Sequence, residues 1–300
     1  MNEPAAWKAE DEVLAGLVSA PFRLLRPKVQ SVPFVLASPH SGRCYPPSFV
    51  AASRLSPLAL RCSEDAFVDE LFDGAVAHGA PLLSAAFPRV LIDANRAPSE
   101  FDREMFDGPL GVPVDAPSAR VAAGLGVIPR VVRDGTDIYR GKLSPEEAEA
   151  RLERLYRPYH AALARLVDET VARFGAAVVV DCHSMPSGAS VPAVVFGDCN
   201  GASVSPSLLR HAEHAFDASG LTSTRNAPYA GGYTTHLYAR RDAGIHALQI
   251  EVNRGLYLDE ERVERGPQFA ALRDRLTAAL ARLMAFDAKA LRPARPLAAE

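Results

Sequence analysis

Apolar residues in this chain collect into short blocks that end abruptly in polar clusters. Val32 to Ala37 runs into Ser38-Pro39-His40-Ser41-Gly42, Ala176 to Val180 into Asp181-Cys182-His183-Ser184, and Ala247 to Ile250 into Glu251-Val252-Asn253-Arg254. A strand that is apolar along its whole length is buried on both faces, as in a parallel sheet. The residues just past such a strand open at the carboxyl edge of the sheet, where α/β folds bind ligands. Pro81 to Ala86 and Arg89 to Ala94 read as two further short strands, the second running into Asn95-Arg96.

Between these blocks the period becomes helical. Glu64 to His78 sets Phe67, Leu71, Phe72, Ala75 and Val76 at helical spacing and meets a stop signal at Gly79. Ser144-Pro145-Glu146-Glu147 has the form of a capping box with proline at the first helical position. It predicts a helical stretch reaching Phe174, ended by Gly175 and kinked or divided at Pro158. Further helices are expected from Ser205-Pro206 to Gly220 and from Gln268 to Phe286. Met105 to Asp137 is rich in Gly and Pro and weakly periodic, and loops that long inside a domain are usually functional lids or disordered.

Strands and helices alternate, with no repeat and no break in composition. That predicts one α/β domain over residues 30–287, preceded by an N-terminal extension (1–29) and followed by a flexible tail (288–300) that frays from Arg292. At 48% apolar and 23% charged residues the composition is that of an ordinary globular protein. A formal net charge of −3 argues against nucleic acid or an anionic membrane as partner. The four cysteines (44, 62, 182, 199) form no CxxC pair, the acidic start lacks the pattern of a signal peptide, and no apolar run approaches the ~20 residues of a membrane span. The expectation is a soluble cytoplasmic protein; the pattern sets no oligomeric state.

The strand-end clusters carry the candidate chemistry. His40 and His183 come from distant strands and could share one zinc ion through neutral ring nitrogens. They read equally well as buried histidines bonded to backbone. A catalytic zinc takes three protein ligands, and Glu64 or Asp65 is the nearest acidic candidate, though either also suits the first turn of a helix. Glu251 sits in an apolar run, where an acid is either functional, as a general base, or paired with an arginine such as Arg254. Asn95-Arg96 and Asn253-Arg254 offer guanidinium forks for a carboxylate, or plain surface arginines. Tyr229-Ala230-Gly231-Gly232-Tyr233 suits a tight turn whose backbone, at Gly232, could approach a ligand, and His236 lies just beyond. HExxH, GxSxG, GxGxxG and P-loop motifs are absent. Cys182 and His183, as strand neighbours, point to opposite faces and do not make a nucleophile–base pair.

Taken in order, Ser38 to Gly42, Glu64-Asp65, Ile92-Asp93-Ala94-Asn95-Arg96, Asp181-Cys182-His183-Ser184-Met185-Pro186, Asn226 to Tyr233 and Gln249 to Arg254 resemble the N-formylglutamate amidohydrolase family over roughly residues 30 to 285. The resemblance implies a fold related to the zinc-dependent exopeptidases (phosphorylase/hydrolase-like), a central mixed sheet flanked by helices. It implies hydrolysis of N-formyl-L-glutamate to formate and glutamate, a step of histidine degradation, with a small acidic N-acyl amino acid as substrate. His40 and His183 then become metal ligands, with Glu64 or Asp65 third, because the position three residues after the first histidine is Arg43. Glu251 becomes the general base and Arg96 the substrate-carboxylate anchor, beside Asn95, with Arg254, Tyr139 and Arg140 as further contacts. The metal is expected to be Zn2+, although His/carboxylate sites also accept other divalent ions. The rival readings are a hydrolase of another N-acyl amino acid or of a C-terminal peptide bond, and a non-catalytic carboxylate-binding protein on the same fold.

Overall fold

Five strands are buried at every residue, among them Phe34–Ser38 (β2), Ala177–Met185 (β4) and Ile245–Asn253 (β7). These three lie side by side and parallel at the centre of a seven-stranded sheet in the computed structural model, which describes residues 11–132, 134–188 and 190–292. Leu82–Ala85 (β3) adds a fourth parallel strand beside β2, and Phe22–Leu25 (β1) closes that side antiparallel to β3. On the other side Val194–Gly197 (β5) runs antiparallel to β7 and carries Ser223–Arg225 (β6). The sheet is mixed and flanked by helices on both faces, as the family resemblance implies.

Period-two alternation divides the core. Ala177 and Val179 of β4, with Ile245 and Ala247 of β7, pack on one face against Leu155, Tyr159, Leu163 and Leu166 of the long helical run. Val178, Val180 and Cys182, with Leu248, Ile250 and Val252, pack on the other against the helices Pro206–Asp217 and Phe269–Met284. Cys182 thus faces away from the side to which His183 belongs. Among the described residues no helix is long and apolar enough to cross a membrane.

Several boundaries differ from the sequence expectation. The segment read as an extension before residue 30 supplies an edge strand of the same sheet, and Leu14 and Leu17 of the helix Glu12–Ser19 enter the core. Ala288–Leu291 forms one 3₁₀ turn with Leu291 buried; the remainder of the expected tail, from 293, lies outside the described residues. The helix expected from Glu64 to His78 starts only at Val68, because Phe67 takes a left-handed backbone (φ 61°), and it consists of Val68–Leu71 followed by a 3₁₀ turn at Asp73–Val76. Its apolar residues Val68, Leu71, Phe72 and Ala75 still reach the core.

Arg89 to Ala94 forms turns, not a strand, since side chains instead of a neighbouring strand take its carbonyls (below). Pro145–Arg151 is capped by Ser144 as expected, but Glu147 turns from the cap to pair with Arg151. Beyond it a π-helical turn, Leu152–Tyr156, precedes the helix Arg157–Phe174, so the stretch divides just before Pro158.

His160, on that helix, is half-buried between Tyr156 and Tyr238, its Nε2 2.9 Å from the Ala94 carbonyl. Burial pushes its pKa down to about 4, below the ordinary value of 6.5. The folded protein therefore resists protonation that the unfolded chain accepts. Stability from this residue is full above pH 6.5 and is lost as pH falls from 6.5 through 4, on the order of 3 kcal/mol. Subtracting the melting temperatures of a His160→Gln variant from those of the parent isolates this group from others titrating in the same window. The difference should shrink steadily between pH 6.5 and 4; a constant difference would show that His160 does not carry it.

Candidate active site

The central strands change character along their length. On the face where Ala177 and Val179 are core, the next two outward positions of β4 are Asp181 and His183. Opposite them on β7 stand Gln249 and Glu251, with His183 registered against Glu251. The expectation that His183 and Glu251 lie just beyond their strands is corrected here: pairing continues to Met185 and Asn253, so both sit on rigid strand. His40 does follow its strand, in the turn after β2.

These residues meet in one cavity of about 520 Å³. His40 Nδ1 lies 3.3 Å and His183 Nδ1 2.9 Å from the same oxygen, Oδ2 of Asp65. The three candidate ligand atoms fall within 4.8 Å of one another, and all three residues are buried. The other ring nitrogens face acids: His40 Nε2 is 2.6 Å from Asp93 Oδ1, and His183 Nε2 is 2.9 Å from Asp181 Oδ1. For His40, an Nε2–H directed at the Asp93 carboxylate fixes the tautomer and leaves Nδ1 as the ligand atom, the usual arrangement behind metal-bound histidine, whereas the Asp181 carboxylate lies close to His183 Nε2 without hydrogen-bonding it. Two imidazoles and a carboxylate so oriented suit one divalent cation.

Asp65, not Glu64, occupies the third position. Glu64 Oε1 accepts hydrogen bonds from the Tyr45 hydroxyl (2.8 Å) and Arg61 Nε (3.0 Å), which turn it away from the histidines. Asp65 is fixed by its own N–H on the His40 carbonyl (3.0 Å) and by Arg254 Nη2 on Oδ1 (2.8 Å). Arg254, read as a possible partner of Glu251, is thus the partner of Asp65; its Nε also donates to Ser184 Oγ.

Electrostatics follow from this crowding. Burial works against the charge of Asp65, but His183 and His40 outweigh it and hold the carboxyl well below its usual range. Asp93 is held low in the same way by His40 and Arg89, whose Nη2 lies 2.8 Å from Asp93 Oδ2. Burial disfavours charge on His183 too, yet Asp181 and Asp65 raise its pKa well above the ordinary value. Glu251 goes the other way: burial, with Asp65 and Asp181 nearby, pushes it up to about 7 against the pull of His183 and Arg254. A bound cation would lower it from there. Its carboxylate is oriented by Gln249 Nε2 at 3.0 Å.

The loop from Val90 to Arg96 carries Asp93, Asn95 and Arg96 without regular structure, so its carbonyls need other partners. Arg151 Nη1 donates to Leu91 O (2.9 Å), the Tyr156 hydroxyl to Arg96 O (2.7 Å), and His160 Nε2 reaches Ala94 O. Arg151 and His160 lie on either side of the π-helical turn, and Tyr156 is its last residue. Asn95 Nδ2 lies 3.1 Å from His183 Nε2, and Thr234 N–H donates to Asn95 Oδ1 at 2.7 Å. The Tyr229–Gly232 turn lines the cavity, and a Cβ on Gly232 would stand 2.3 Å from Asn95 Nδ2. Only glycine fits there.

Of the residues singled out in the sequence, the structure gathers His40, Asp65, Asn95, Arg96, His183, Gly232, Glu251 and Arg254 around the cavity. Tyr139 and Arg140 lie apart from it. The Tyr139 ring is in the core with its hydroxyl taking a bond from Arg151, and Arg140 Nε donates to Ser53 O. His236 is exposed on the helix Tyr233–Tyr238. Asp93, Asp181 and Arg89 were not singled out. The spacing Asp181-x-His183 on a strand, which puts both on one face, is the signal that could have found Asp181.

The sequence profile of the N-formylglutamate amidohydrolases matches residues 32–258. The chain is 28% identical over 242 residues to the N-formylglutamate deformylase of Pseudomonas putida, covering 76% of this chain and 83% of that one. It is also 28% identical to that of Pseudomonas aeruginosa, covering 77% and 84%. Among solved structures it superposes on the N-formylglutamate amidohydrolase of Ralstonia eutropha JMP134 with a TM-score of 0.83 and 37% identity, over 88% of this chain and 97% of the other. A gene product of Agrobacterium tumefaciens shares the fold at a TM-score of 0.57 and 20% identity, over 88% and 96%. With a profile match across most of its length, this chain belongs to the N-formylglutamate amidohydrolase family.

Proposed function

We propose that this protein hydrolyses N-formyl-L-glutamate to formate and L-glutamate at one divalent-metal centre held by His40, Asp65 and His183. The observation that carries the reading is the convergence of both Nδ1 atoms on one Asp65 oxygen, each histidine backed by an acid, beside a glutamate held in reserve. The names of the relatives support the choice of substrate. Zinc is the metal we favour, and the pathway we favour is histidine degradation in the cytoplasm.

A divalent cation at that position supplies a Lewis acid for the formyl oxygen and acidifies water near neutral pH. Glu251 takes a proton from the attacking water and delivers it to the departing amine nitrogen, so that formate and glutamate leave. Burial that pushes its pKa up, against the downward pull of a bound cation, suits both halves of that transfer. Asp93 orients the His40 imidazole, the Asp181 charge lies against that of His183, and Arg96, beside Asn95, holds a substrate carboxylate.

Formate release from N-formyl-L-glutamate should be abolished by chelation and restored by zinc. A folded, metal-replete protein that releases none would remove this substrate. Glu251→Gln should keep the fold and the metal while lowering kcat by about a hundredfold or more. Because the base acts deprotonated, kcat/KM of the parent should fall with decreasing pH through a group at or below about 7, and the variant's residual rate should lack that limb. An unchanged limb in the variant would assign it to another group. Asp93→Asn should weaken metal affinity by about ten- to a hundredfold, read by competition with a chromophoric chelator; parental affinity would make Asp93 a purely structural acid.

A further inference from the structure

Four arginines line the cavity: Arg89, Arg96, Arg120 and Arg254. Two are already balanced by acids, Arg89 by Asp93 and Arg254 by Asp65. Arg96 and Arg120 are not. Among the described residues no carboxylate lies within ion-pairing distance of either, and Arg96 spends its Nε and Nη1 on the carbonyls of Leu125 and Asn95.

The two are held in fixed relation by backbone. Arg96 Nε donates to Leu125 O at 2.9 Å, while Leu125 N–H donates to Arg120 O at 2.8 Å. Asp93 N–H also donates to Val127 O at 2.7 Å, so the turn bearing Arg120 is tied to the loop bearing Asp93, Asn95 and Arg96. The short helix Ala119–Ala122 is capped by Ser118. Arg96 is half-buried next to Asn95, which touches His183; Arg120 is exposed at the rim. Burial lowers the pKa of Arg96, and the charges of Arg120 and Arg89 lower it further against the pull of Asp93. Two uncompensated cations facing one cavity call for a dianion.

We propose that Arg120 reads the side-chain carboxylate of the substrate, and that it makes this enzyme selective for acidic N-formyl amino acids. This rests on the amidohydrolase reading above and deepens it. In an N-formyl amino acid the α-carboxylate is two bonds from the scissile nitrogen, so it falls to Arg96, the arginine nearer the histidines. The γ-carboxylate is two bonds farther out and meets Arg120.

The test is the ratio of kcat/KM for N-formyl-L-glutamate to that for N-formyl-L-glutamine, which differ in that carboxylate. Arg120→Gln should lower the ratio by about ten- to a hundredfold, the usual worth of a charge-assisted hydrogen bond, with the loss in KM and not kcat. Arg120→Lys should recover part of it. A ratio within about twofold of the parent in Arg120→Gln would overturn the proposal. Should the parent hydrolyse neither compound, the amidohydrolase reading fails separately. Arg120 is then judged by calorimetry of L-glutamate against L-glutamine on the zinc-loaded protein. The same loss of preference in Arg120→Gln supports it, and equal preference in variant and parent overturns it.

Discussion

Everything in the site leans on one buried carboxylate. Asp65 is almost fully withdrawn from water, yet one of its oxygens faces two imidazoles and the other a guanidinium. A charge so placed is tolerable only because its partners surround it, and removing one partner from such a cluster typically costs about 3–5 kcal/mol. The chain invests backbone in this arrangement. The helix expected from Glu64 onward starts only after a left-handed Phe67, and the Asp65 N–H is tied to the carbonyl of the histidine its side chain serves. Arg254 balances the carboxylate from the far side, which leaves Glu251 without an ion pair and able to exchange a proton near neutrality.

The second constraint is mechanical. Strands β4 and β7 present Asp181, His183, Gln249 and Glu251 on one face without further support, since sheet pairing holds them. The loop with Asp93, Asn95 and Arg96 has no such frame. A helical run with a π turn supplies it instead, through an arginine, a tyrosine and a histidine that reach the loop's carbonyls. Turns of this kind commonly occur near functional sites. Here the turn lies between Arg151 and Arg157, within the segment that carries these three donors. The geometry of this loop thus depends on donors outside the cavity lining.

Much of this was legible in the sequence. Apolar blocks with polar ends locate the parallel strands and the edge at which ligands bind, and they nominated both histidines, Glu251 and Asn95-Arg96. What stayed hidden depends on local turns and on long reach. Glu64 and Asp65 are adjacent acids, and only the left-handed turn after them decides which faces the histidines. Arg254 could pair with either Glu251 or Asp65, a choice made by the approach of the 63–65 turn to the end of β7. Tyr139 was a substrate contact only by what the family resemblance implies, whereas Arg151 draws it into the core. Arg120 sat in a weakly periodic stretch from Met105 to Asp137 that gives no pattern to read; its place follows from hydrogen bonds between loops.

The choice of Asp65 over Glu64 is where the account is most exposed. Metal content after equilibration with zinc and removal of free ion, measured on the parent, Asp65→Asn and Glu64→Gln, addresses it directly. About one zinc per chain is expected for the parent and for Glu64→Gln, and almost none for a folded Asp65→Asn. Full zinc in Asp65→Asn, or its loss from a folded Glu64→Gln, would contradict the centre described here.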